Sequence, residues 1–102
     1  MTTLNSSDIH KIVVACDAGM GSSVMLATQL RKQLSSQKVA VEHTPVNEIP
    51  RDADIVVCHA GLAARARAGV PDVPIVPFQV FIGDPTVSRL VEAIKRGGTV
   101  DV

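Results

Sequence analysis

Two runs in this chain, Ile12-Val13-Val14 and Ile55-Val56-Val57, are continuous and β-branched, as strands covered on both faces should be. Together with apolar segments at 39–43 and 74–78 they predict strands over 11–15, 39–43, 54–58 and 74–78. Between them the spacing turns helical. Val24, Ala27, Leu30 and Leu34 recur on one face, with Arg31, Lys32 and Gln33 facing out, in a helix capped by Ser22 or Ser23 that runs to about residue 36. A short alanine-rich helix over 62–68 stops at Gly69, with Pro71 beyond it. A third opens at Asp84-Pro85, turns Val87, Leu90, Val91 and Ile94 inward, and ends at Gly97-Gly98.

Strands alternating with helices define an α/β fold: a three-layer sandwich with a four-stranded parallel sheet and helices on both faces. Pro74 and Pro77 put the fourth strand at an edge, because proline cannot donate to a ladder, and the predicted order is 2-1-3-4. Right-handed crossovers bring every strand's C-terminal end to one edge. Cys16, His43, Cys58 and the residues after Phe78 should gather there, where open α/β sheets bind ligands. The domain is expected over 11–97, with a flexible segment at 1–10 and a tail at 98–102.

Composition narrows the function. A chain of 102 residues is one domain, and 10 basic against 10 acidic residues leave no electrostatic footprint for nucleic acid. The first ten residues, with Ser6, Ser7, Asp8 and His10, lack a signal peptide's apolar region, and no apolar run is long enough to span a bilayer. A cytoplasmic domain is expected, and Met1 favours a separate polypeptide. In that compartment Cys16 and Cys58 read as a reactive thiol and a buried bystander rather than a structural bridge.

Cys16 is the reactive candidate because it ends a strand and opens the loop Asp17-Ala18-Gly19-Met20-Gly21-Ser22-Ser23. Gly19 and Gly21 let backbone amides approach a ligand closely. The N–H groups of Asp17 through Ser23 can then form an anion nest at the positive end of the first helix, suited to a phosphate or a thiolate. Asp17, negative itself, should point its carboxylate away or bond a loop amide. An ATP-binding loop is excluded because no lysine follows the glycines, and a dinucleotide fingerprint because Val24 stands where its third glycine belongs. Cysteine phosphatases and arsenate reductases carry an arginine six positions after the cysteine; here that residue is Ser22. The thiol and cradle are kept while the residue that best promotes hydrolysis is missing, which suits a protein that holds a phosphoryl group and passes it on.

The segment Cys16-Asp-Ala-Gly-Met-Gly-Ser-Ser23, preceded by Lys-Ile-Val-Val-Ala, resembles the active-site loop of the mannitol-type IIB domain of the bacterial phosphoenolpyruvate-dependent sugar phosphotransferase system. The likeness extends through Asn47-Glu-Ile-Pro50, Asp54-Ile-Val-Val and His59, over residues 11–97. It implies a transferase component without cofactor or metal. A phosphohistidine on a IIA partner donates to Cys16, and phosphocysteine donates to a sugar, mannitol by this likeness, held by membrane IIC. Complexes with both partners would be transient, at the inner face of the membrane. A low-molecular-weight cysteine phosphatase or arsenate reductase is the alternative enzyme, and a regulatory IIB-like module the alternative outside sugar transfer.

Other residues read more plainly. Asp84-Pro85 is explained by a helix cap and first-turn proline ahead of a general acid, and His59 by a hydrogen-bonded structural role. His10 and His43 look ordinary, and Arg65 and Arg67 form a solvated helix face. Met20, Val24 and Met25 could form an apolar docking rim, with core burial an equal expectation for Val24. No spacing of His, Cys and carboxylates matches a zinc site.

Overall fold

The computed structural model describes residues 3–16, 21–79 and 84–101. In chain order its elements are β1 (Thr3–Asn5), β2 (Lys11–Cys16), α1 (Gly21–Gln33), β3 (Ala40–Pro45), β4 (Ile55–His59), α2 (Ala63–Gly69), β5 (Ile75–Phe78), α3 (Pro85–Arg96) and β6 (Thr99–Asp101). β3, β2, β4 and β5 lie side by side in that order, all parallel, which is the architecture and strand order expected from the sequence.

Both β-branched runs are central and fully buried, because each strand sends alternate side chains into two separate cores. Ile12, Val14, Ile55 and Val57 pack under α1 and α3, whereas Val13, Ala15, Val56 and Cys58 pack under α2. The amphipathic pattern of α3 is met in full, with Val87, Leu90, Val91 and Ile94 all buried. In α1 the buried set differs from the expected one. The helix begins at Gly21; Ala27, Leu30 and Leu34 are buried as expected, Leu26 joins them, and Val24 is left 49 % exposed. Ser22 and Ser23 consequently stand in its first turn rather than at its cap.

The edge strand β3 runs two residues past the expected end at His43, to Pro45. Ala40 N–H donates to the His10 carbonyl at 2.8 Å. By the two-residue period, Ala40, Glu42 and Thr44 therefore turn their backbone groups to β2, and Val41, His43 and Pro45 turn theirs to the open edge. Pro45 is tolerated there because its missing N–H faces no neighbouring strand. Arg31 donates Nε–H to the Val41 carbonyl at 2.8 Å, tying α1 to that edge, so this residue has a structural contact that its outward position does not reveal.

The segments read as tails are paired. β1 and β6 form an antiparallel ribbon, Thr3 opposite Asp101 and Asn5 opposite Thr99. It is rooted beside the C-terminus of α3, where Ser6 N–H donates to the Gly98 carbonyl at 2.9 Å, and Leu4 packs against the larger core. At the same end of the sheet Lys11 Nζ meets Glu42 at 2.8 Å and Asp52 at 3.0 Å, and Asp54 accepts the N–H groups of His10 and Lys11 at 2.7 and 2.9 Å. These contacts fix where β2 begins.

Candidate functional site

β2 delivers Cys16 to the carboxyl edge of the sheet and, five residues on, the chain enters α1 at Gly21. The first N–H groups of an α-helix have no partner within it, so those at the start of α1 are not used inside the helix and lie at the positive end of its 13 residues. Asp17, Ala18, Gly19 and Met20 lie outside the described residues. Of the proposed anion loop, the structure describes the backbone of Gly21, Ser22 and Ser23 as the opening turn of α1.

Cys16 is buried, at 4 % exposure, and its sulfur lies 2.9 Å from Nε2 of His43 and 3.7 Å from the carbonyl oxygen of Thr44. The register explains this meeting of residues 27 positions apart. Val14 is opposite His43 and Cys16 opposite Pro45, so cysteine and histidine are diagonal neighbours. Their faces match as well: Cys16 follows the parity of Ile12 and Val14, and His43 that of Val41, all on the α1 side. Two proton arrangements satisfy the geometry. Either Sγ–H donates to an unprotonated Nε2, or Nε2–H donates to sulfur while Sγ–H turns to the Thr44 carbonyl. An imidazole in contact with a thiol can take its proton and leave a nucleophile. The sequence puts His43 on this edge but gives no reason to pair it with Cys16, since the contact requires β3 to continue to Pro45 in register.

The other candidates separate from this pair. Cys58 is wholly buried on the opposite face under α2, and the sheet stands between the two thiols, both of which are free. Burial pushes the Cys58 thiol up from its ordinary value, partly offset by the positive charge of Arg67. His59 shares the face of Cys16 by parity and has a structural role: Nδ1 accepts the Gly61 N–H at 3.1 Å, and the ring stands edge-on to Phe78 at 5.9 Å. Asp84 caps α3, accepting the N–H of Thr86, as its pairing with Pro85 predicts. Arg65 and Arg67 are exposed on α2. Val24 and Met25, 49 % and 56 % exposed, are surface residues just beyond the start of α1. Among the described residues no three His, Cys, Asp or Glu side chains converge on a possible metal position, and no helix is long and apolar enough to cross a membrane.

An open parallel α/β domain with a thiol at its carboxyl edge, five residues ahead of a helix N-terminus, defines a class of small thiol-bearing α/β domains. Comparison with known proteins gives that class its family. The chain belongs to the family described as "PTS system, Lactose/Cellobiose specific IIB subunit", whose model matches residues 11–93. It is 38 % identical over 95 residues to the "PTS system mannitol-specific EIICB component" of Bacillus subtilis, covering 91 % of this chain and 20 % of that one. With the "PTS system mannitol-specific cryptic EIICB component" of Escherichia coli it shares 44 % identity over 86 residues, 82 % of this chain and 18 % of the other. The "PTS system mannitol-specific EIICBA component" of Escherichia coli is 36 % identical over 95 residues, 90 % of this chain and 15 % of its own length. The chain therefore spans a fifth or less of these relatives, and the likeness to mannitol-type IIB domains read from the cysteine loop is borne out.

Proposed function

We propose that this domain is a phosphocysteine carrier: Cys16 accepts a phosphoryl group from a IIA phosphohistidine and passes it to a sugar, mannitol by the relatives' names, held by a membrane IIC partner. The observation that carries the reading is the position of the Cys16 thiol, on the last residue of β2 with α1 opening five residues later. In the first transfer sulfur attacks phosphorus, an S–P bond forms, and the N–P bond of the donor breaks with its electron pair returning to the donor ring. In the second, a sugar hydroxyl oxygen attacks, an O–P bond forms as its O–H bond breaks and the proton passes to solvent, and the S–P bond breaks with its electron pair on the departing thiolate. Amides of the 17–23 loop and the α1 dipole would stabilise charge on the equatorial oxygens in both transfers. Ser22, where phosphatases use arginine, supports transfer to a partner over hydrolysis.

The relatives' names, EIICB and EIICBA, support IIC and IIA as partners. With a IIC partner, the domain would work at the inner face of the membrane. Incubation with phosphoenolpyruvate and the phosphorelay proteins should add one phosphoryl group, and Cys16→Ser should abolish it. Labelling that persists in the variant overturns the proposal. Rapid turnover of an aryl phosphate or arsenate would instead favour the hydrolase or reductase. A phosphorylated domain that never discharges to sugar with a IIC partner would make it a regulatory module.

A further inference from the structure

We infer that His43 is the positioning partner of Cys16, taking the thiol proton on Nε2 and holding the sulfur in place for attack. The contact is short, 2.9 Å, and is made between two strands rather than between loops. A strand-borne pair keeps its geometry without ordering cost at the moment of reaction. β3 is anchored just ahead of His43: Val41 by the Arg31 bond to its carbonyl, and Glu42, on the opposite face, by Lys11. His43 sits immediately after them, and its ring meets sulfur from the α1 side. The second contact of Cys16, the Thr44 carbonyl at 3.7 Å, can only accept, so it cannot stabilise a thiolate; His43 can.

Among the described residues the charged and titratable groups around the pair are few. From α1 comes Arg31, already engaged with the Val41 carbonyl; from β4 comes His59, whose Nδ1 is engaged by Gly61. On β3 itself Glu42 points away to Lys11. Among the described residues no carboxylate is bonded to His43, so the unit is a cysteine–histidine dyad. Proton balance is simple. The S–H bond breaks, an N–H bond forms at Nε2, and the resulting imidazolium remains beside the thiolate until sulfur is consumed by an electrophile.

This inference rests on Cys16 as the reacting nucleophile, but its test needs no phosphorelay. Iodoacetamide reports thiolate directly, since sulfur displaces iodide and an S–C bond replaces C–I. In the full chain, His43→Gln keeps a polar group near the sulfur but cannot accept its proton. The rate at Cys16, followed by mass spectrometry of its peptide, should fall roughly tenfold or more near neutral pH and converge with wild type in alkaline solution, where hydroxide takes the proton in place of His43. Circular dichroism and urea midpoints establish that the variant is folded, and His43→Asn serves if His43→Gln is not. Equal rates at the lower pH, or equal depression at both, overturn the inference. A Cys16→Ser variant that still accepts phosphoryl groups overturns the reading of the site without touching the dyad measurement.

Discussion

Asp84 accepts the backbone N–H of Gln79 at 2.7 Å while its other oxygen accepts the N–H of Thr86 at 2.8 Å. One carboxylate, 4 % exposed, thus ties the residue following β5 to the first turn of α3. The helix dipole and two amide donors stabilise it as an anion. A buried acid with this duty is a structural clamp, which is why its Asp-Pro sequence need not mean acid catalysis.

Asp84→Ala should lower stability by about 1–3 kcal/mol in urea unfolding, because a cap is lost and a second amide is left unpaired. Asp84→Asn should cost less. Neither should prevent phosphoryl acceptance at Cys16. Loss of acceptance in a folded Asp84→Asn variant would restore the acid role.

Cys58 should resist alkylation under conditions that label Cys16, and react once the chain is unfolded. Its thiol is pushed up by burial, so the unfolded state releases the proton first as pH rises past the ordinary value of 9.0. Its contribution to stability is full below that value and is lost as pH climbs through the raised one. Urea midpoints across this range should therefore fall for wild type and fall less for Cys58→Ala. At neutral pH that variant should be less stable by about 1–2 kcal/mol, from lost burial and a small cavity.

Lys11 is raised from its ordinary 10.5 by its bonds to Glu42 and Asp52. A cation with a raised value contributes fully below pH 10.5 and loses that contribution as pH rises beyond it. Lys11→Gln should lower the urea midpoint at neutral pH and reduce its sensitivity to added salt, since the wild-type ion pairs are screened. An unchanged salt response would show that the cluster contributes nothing measurable.

Gly97 ends α3 in the left-handed region, φ 71°, where its N–H reaches back to the last turn. An added Cβ would meet Ser6 Oγ only at 4.0 Å, so the cost of Gly97→Ala is in the backbone, about 1 kcal/mol. Gly98→Ala has open space around its Cβ and serves as the paired control. A similar loss in both would locate the effect elsewhere than in the left-handed cap.

The sheet and α3 were legible in the sequence because their burial is periodic: Ile12 to Val14 and Ile55 to Val57 can only be double-faced strands, and Val87, Leu90, Val91 and Ile94 can only be one stripe. The α1 stripe was half legible. Val24 fits the period as well as Leu26, and the rotation of the helix on the sheet, which buries Leu26 and exposes Val24, decides between them. β1 and β6 were invisible, since strands of three mixed residues carry no period and exist through their pairing. Cys16 announced itself through its glycine loop, whereas His43 has no local motif. Its significance is purely one of register, set by β3 continuing two residues past the point where its apolar pattern fades.

The terminal ribbon has a mechanical consequence. Thr3 and Asp101 are direct partners, so a tension applied through both flanks pulls the ribbon apart as a zipper, one pair at a time, ending at Asn5 and Thr99. The load reaches β2 only after the ribbon has opened, and it arrives at Lys11, the end of that strand away from the thiol. β1 and β6 are thus placed to open first under such a load. Strain transmitted along a longer polypeptide would be spent on a few sacrificial hydrogen bonds before the spacing between Cys16 and His43 could change.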